Sequence, residues 1–113
     1  VSFNKIGDEG AKSIAKGLKT DNHLTQFYAN NNNIGNDGAE ALADALLHHT
    51  VLEEITLSRN NIGYDGARAL LTGIKKNKKS PVKWLNLGYN SISQNDKKAL
   101  RQEFEGVVEE LFL

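Results

Sequence analysis

The chain has 113 residues, enough for one domain with a core of its own. Its 14 basic and 14 acidic side chains cancel to a formal net charge of +0, so no global field steers a polyanion or an anionic membrane toward it. Cys 0 in the composition excludes a disulfide framework, cysteine–zinc sites and thiol nucleophiles together.

Residues 1–4 (VSFN) read as the tail of a strand whose beginning is absent, and NKIGDEGAKSIAKGL from Asn4 as a first helix with Gly7 as its N-cap. From Leu24, LTQFYANNN alternates at period two around Phe27 and Ala29, as a short strand does. NNIGNDGAEALADAL from Asn32 sets Ala39, Leu42, Ala43 and Leu46 on one helical face behind a Gly35 cap. LEEITLSRN from Leu52 is the next strand. NNIGYDGARALLTGI from Asn60 follows as a helix, with Gly63 as cap and Ala67, Leu70, Leu71 and Ile74 inward. The stretch KKNKKSP between Ile74 and Val82 lengthens the following turn. VKWLNLGYN from Val82 is a strand, and NSISQNDKKALRQEF from Asn90 is a helix opening on Ser93, which pairs with Asp96 in a variant capping box. Val108, Leu111 and Leu113 return to strand spacing, so the chain is expected to stop inside a fifth strand.

Gly10, Gly38 and Gly66 recur within the first helical turn. A glycine there costs about 1 kcal/mol relative to alanine, so its recurrence predicts a helix pressed too close to neighbouring chain for a Cβ. Asp96 breaks that series.

The leading residues Asn4, Asn32, Asn60 and Asn90 stand twenty-eight, twenty-eight and thirty positions apart. Each strand block fits L-x-x-L-x-L-x-x-N, with Phe27, Ala29 and Val82 replacing leucines. This pattern resembles the leucine-rich-repeat family. The period and the I-G-x-x-G-A-x-x-L helix opening are similar to its ribonuclease-inhibitor-like subclass, and the resemblance covers essentially the whole chain. The residue pattern leads to the same architecture independently. Strand–helix–strand units with short links require parallel strands joined by right-handed crossovers. Stacked in register, they build a right-handed α/β solenoid, with parallel strands on the concave face and helices on the convex face. The expected organisation is a single domain over residues 1–113. It holds about four repeats, starts and ends mid-repeat, and uses residues 92–113 as a C-terminal cap. Nothing visible caps the N-terminal end, so upstream repeats, a partner or self-association is expected there.

Asn32, Asn60 and Asn90 are expected to point inward and hydrogen-bond the backbone of adjacent turns, a structural ladder with no ligand role. The residues between the buried positions project from the concave sheet in columns: Gln26, Glu54 and Trp84; Tyr28, Thr56 and Asn86; Asn30, Ser58 and Gly88; and Asn31, Arg59 and Tyr89, extended back by Phe3. Trp, Tyr and Arg are the side chains most enriched at binding hot spots. Trp84, Tyr89, Tyr28 and Arg59 therefore mark this face as a protein-binding surface. Tyr64 reads as a local packing residue.

Other clusters read as surface. Lys75, Lys76, Lys78 and Lys79 complement the dipole at the end of the third helix. His23, His48 and His49 are expected as surface histidines, although stacking would bring His49 toward Asp21 and His23. Glu103, Glu105, Glu109 and Glu110 form an acidic end without a pocket for acid–base work. No phosphate loop, nucleophile elbow or metalloprotease helix motif is present. A non-enzymatic module with no cofactor and no metal is expected, taking another protein as partner and neither nucleic acid nor membrane.

The resemblance implies intracellular protein recognition, without the activity of ribonuclease inhibitor itself, whose cysteines this chain lacks. A cytoplasmic location follows from that and from the cysteine-free composition. The alternatives are a GTPase-activating role of the Ran GTPase-activating type, resting on Arg59, or a structural fragment of a longer solenoid. A secreted bacterial effector acting in the host cytoplasm is a third, and the excess of lysine over arginine fits it.

Overall fold

The structure is a computed structural model that describes residues 5–20, 23–49 and 51–113. Helices and strands alternate: α1 (Gly7–Thr20), β1 (Gln26–Tyr28), α2 (Asn36–Leu46), β2 (Glu54–Thr56), α3 (Tyr64–Lys76), β3 (Trp84–Asn86), α4 (Gln94–Glu103) and β4 (Glu110–Phe112). The four strands form one parallel sheet in the order β1-β2-β3-β4. Sequence neighbours are thus sheet neighbours, each joined through a helix that crosses back over the same side. The result is the α/β solenoid expected of the repeat, with a strand layer inside and a helix layer outside. The strand read at residues 1–4 lies outside the described residues.

Register follows the repeat. Phe27 pairs with Ile55, Ile55 with Leu85, and Leu85 with Leu111. Behind them the core is built in columns: Ala29, Leu57 and Leu87; Ile34, Ile62 and Ile92; Ala11, Ala39 and Ala67; Leu42, Leu70 and Leu100, all buried. Equivalent apolar residues stack because one turn of the coil brings the chain back over itself.

Asparagines tie the turns together. Asn60 Oδ1 accepts the amides of Asn32 at 2.9 Å and Ile34 at 3.0 Å. Its Nδ2 donates to the carbonyls of Ala29 and Leu57 at 3.0 and 2.9 Å. Asn90 does the same one turn on, accepting from Ile62 N–H at 2.9 Å and donating to Leu57 and Leu87. Asn32 is fully buried, and its Nδ2 donates to the Asn30 carbonyl.

The helix ends are capped by neighbouring repeats. Gly35 and Gly63 are N-caps with no side chain to close their own helices. Asp8 Oδ1 instead accepts the amides of Gly35 and Gly38 at 2.7 and 3.1 Å. Asn36 Oδ1 accepts those of Gly63 and Gly66 at 2.8 and 2.9 Å. A Cβ on Gly38 would lie 2.7 Å from Asp8 Oδ1 and 3.0 Å from the Ala11 methyl, which is the close approach the recurrent glycines predict. At the next step the equivalent position is Tyr64, a half-buried residue packed against the core, and α4 is closed by its own Ser93, whose Oγ accepts from Asp96 N–H at 3.1 Å.

Asn77, in the lengthened turn, closes the other end of α2. Its Nδ2 donates to the carbonyls of Leu46 and His49 at 2.9 and 2.8 Å. His49 beside it lies inside, which corrects the surface reading for that residue. It is only 3 % exposed, and its Nδ1 accepts the Leu52 amide at 3.2 Å. His23 and His48 are exposed, whereas Asp21, the other member of that group, lies outside the described residues.

Candidate protein-docking face

Period-two alternation in a three-residue strand buries the middle side chain and turns the outer two to the concave side. The face therefore carries Gln26, Glu54, Trp84 and Glu110 in one row, and Tyr28, Thr56, Asn86 and Phe112 in the next. The β4 members extend both rows beyond the residues the sequence singled out. Phe112 packs on Trp84, ring centroids 5.6 Å apart and planes tilted by 39°. At the other end the Tyr28 hydroxyl donates to Glu54 Oε2 at 2.7 Å. That bond, to a carboxylate whose charge also opposes a phenolate, holds the Tyr28 pKa above its ordinary value. Between the two aromatic ends lies a shallow hollow of about 130 Å³ lined by Tyr28, Glu54, Thr56, Trp84 and Asn86.

Beyond the strands the chain turns sharply. Asn31, Arg59 and Tyr89 occupy equivalent positions, and all have left-handed backbones, with φ of 61°, 57° and 57°. For Arg and Tyr this conformation is costly, on the order of 1 kcal/mol or more each. It sets three side chains in a row along the rim. Tyr89 is 76 % exposed, and the Arg59 guanidinium carbon lies 4.4 Å from its ring centroid, a cation–π contact. Phe3, read as extending this row, lies outside the described residues.

Asn30 and Ser58 are placed differently from the outer residues. Asn30 Oδ1 accepts from Thr56 Oγ1, Ser58 Oγ and Ser58 N–H at 2.9, 3.0 and 2.9 Å. Asn86 Oδ1 likewise accepts the Gly88 amide at 2.9 Å. Asn30 thus ties its turn to the next and holds the half-buried Thr56, whereas Asn86 braces the backbone of its own turn. The alternation gave no signal for this, because it reports which side a residue faces and not whether its hydrogen bonds are already used.

The lysine cluster lies away from this face, whereas the acidic end reaches it through Glu110, which β4 sets beside Trp84. Lys76, Lys78 and Lys79 are exposed, and the Lys75 ammonium stands 5.8 Å from the Phe104 ring. Glu103 bridges helices, accepting from Arg68 Nη2 at 2.7 Å and Nε at 3.2 Å. Glu53 pairs with Lys83 at 3.1 Å. Among the described residues, no group of three or more His, Asp or Glu side chains is placed to hold a metal ion. No helix there is long and apolar enough to cross a membrane.

The architecture is shared with solved structures. The leiomodin-1 actin-binding site 2 structure superposes with a TM-score of 0.84, covering 99 % of this chain and 68 % of that one at 16 % identity, a likeness of fold. Curated protein sequences give no match. A family model described as a leucine-rich repeat matches residues 1–15, 20–43 and 48–71, more than half of the chain. With the period, the parallel sheet and the asparagine ladder in agreement, the chain belongs to the leucine-rich-repeat family.

Proposed function

We propose that this chain is a protein-recognition module of the ribonuclease-inhibitor-like type, binding a partner protein through its concave sheet and the rim above it, without catalysis. One observation carries this reading. The exposed large apolar side chains among the described residues are Tyr28, Trp84, Tyr89 and Phe112, at 43 %, 42 %, 76 % and 44 %, and all four lie on this face or its rim. Scattered exposed apolar residues need no explanation, whereas aromatics gathered on one preorganised face mark a contact surface. A sheet held rigid by its asparagines also lowers the ordering cost of association. The leiomodin-1 structure, described as an actin-binding site, is a chain of this fold with a protein partner, which supports the same class of partner here. The GTPase-activating alternative has only Arg59 to rest on, and Arg59 is stacked on Tyr89.

The experiment is affinity capture from cytosolic lysate with the wild type beside a Tyr28→Ala, Arg59→Ala, Trp84→Ala variant that keeps its circular dichroism. Proteins retained by the wild type and lost by the variant are the expected result. Equal recovery by both contradicts the concave site.

A further inference from the structure

The hollow in the middle of the concave sheet has a chemistry of its own. Its six lining residues, Tyr28, Glu54, Ile55, Thr56, Trp84 and Asn86, all belong to β1, β2 and β3. At about 130 Å³ it is smaller than the roughly 300–1,000 Å³ of a pocket that takes a whole small molecule, and it suits a single side chain. Tyr28 and Trp84 rise from β1 and β3, on either side of β2, so Glu54 and Thr56 lie between the two rings. The hydrogen-bonding sense of the hollow is fixed from within. The Tyr28 hydroxyl donates to Glu54 Oε2 at 2.7 Å, and the Thr56 hydroxyl donates to Asn30 Oδ1 at 2.9 Å. Both hydroxyl hydrogens are thereby spent. The second carboxylate oxygen of Glu54 and the lone pairs of the Thr56 hydroxyl are left as acceptors. Among the described residues Glu54 enters no ion pair. Lys83, which precedes Trp84, is already paired with Glu53 at 3.1 Å. No outward-facing residue of β1, β2 or β3 is basic.

We propose that this hollow takes a lysine side chain of the partner protein, its ammonium on Glu54 between the rings of Tyr28 and Trp84. The inference rests on the docking reading above and names the group that anchors the partner. Charge complementarity selects the occupant, because Glu54 is a carboxylate without a counter-ion. An ammonium carries donors and no acceptor, which matches a site whose own hydroxyl donors are spent. Aromatic faces add attraction for a cation within about 6 Å of the ring centre. An apolar side chain would shut Glu54 and Thr56 from water without bonding to them, a net cost. A carboxylate or phosphate would meet Glu54 as a like charge. Arginine fits less well, since its planar fork grips a carboxylate through both oxygens and Tyr28 already engages Oε2.

The test selects a phage-displayed library of random peptides lacking tryptophan on the wild-type protein, and reads binding by the anisotropy of a fluorescein-labelled copy. Trp84 is the only tryptophan of the chain, so its own emission reports a guest in the hollow. Selected peptides are expected to share a lysine and to change the Trp84 emission as they bind. Acetylation of that lysine and Glu54→Gln should each weaken binding by about tenfold. The two together should weaken it scarcely more than either alone, because they remove the same contact. Glu40→Gln makes the same change in net charge on an exposed residue of α2 and should bind as wild type does. Selection of nothing, peptides with no common lysine, an arginine that serves equally in its place, an unchanged Trp84 emission, or equal loss in Glu40→Gln would each overturn the proposal. Peptides lost by Trp84→Ala but indifferent to Glu54→Gln leave the docking face standing and remove only the lysine. Peptides lost by neither contradict the docking face as well.

Discussion

The carboxylate of Asp8 caps a helix to which it does not belong, accepting the backbone N–H of Gly35 at 2.7 Å. Asn36 repeats the arrangement on Gly63 at 2.8 Å. The starts of α2 and α3 are thus closed by the turn before them, and these caps join adjacent repeats as well as ending helices. Asn36→Ala strands the amides of Gly63 and Gly66 together. It should cost about 1–2 kcal/mol in urea unfolding. Asn36→Asp, which keeps the acceptor, should cost far less. Equal losses would show that the acceptor is not what matters.

Asn60 carries a heavier duty, because its amide satisfies donors and acceptors on two turns at once. Removing it orphans several backbone groups in the interior. Asn60→Ala should lower stability by on the order of 3 kcal/mol, with an unchanged denaturant slope. A loss below about 1 kcal/mol would mean that water takes over the bonds.

Two helical glycines should respond to alanine with opposite signs. A Cβ on Gly73 would lie 2.7 Å from the Ala43 carbonyl oxygen, at the α2–α3 contact, whereas a Cβ on Gly17 meets nothing within 4 Å. Gly17→Ala should stabilise the protein by about 0.5–1 kcal/mol through helix propensity. Gly73→Ala should destabilise it by more than that gain, since backbone must move. Thermal melting of the two variants decides the matter.

The architecture was legible because the period carries it. Residues such as Leu57 and Leu87 recur at matching positions, and stacking is the arrangement that buries both; Leu57 N–H donates to the carbonyl of Asn86, the residue before Leu87, at 2.8 Å. The cross-repeat caps were not legible. Asp8 and Asn36 look like ordinary first-turn polar residues, and their acceptors meet amides 27 positions away only after the coil closes. His49 was misread because its ring turns inward to accept the Leu52 amide, a bond for which the spacing gave no signal. Phe112 stands between Leu111 and Leu113, so the alternation already turned it to the concave side; its contact with Trp84 needed the β3–β4 register, which sets it beside Asn86.

The Tyr28–Glu54 contact gives a pH signature. The Tyr28 pKa is raised, first by the hydrogen bond to Glu54. The stabilisation this bond provides is therefore complete below the ordinary tyrosine value of about 10 and is lost as pH rises through the higher folded value. Phenolate absorbance in a Tyr64→Phe, Tyr89→Phe background should titrate above the ordinary value. Glu54→Ala should return it there. An identical midpoint with and without Glu54 would show that the hydroxyl is not so engaged.

Site-specific photo-crosslinking tests the central claim most directly. A benzophenone amino acid would be placed at Thr56, in the middle of the concave sheet, and separately at Asp65, in the first turn of α3 on the helix side. On irradiation with the captured partner, the Thr56 probe should give a covalent adduct and the Asp65 probe should give none. Adducts from Asp65 alone would place the partner on the helices and contradict the account.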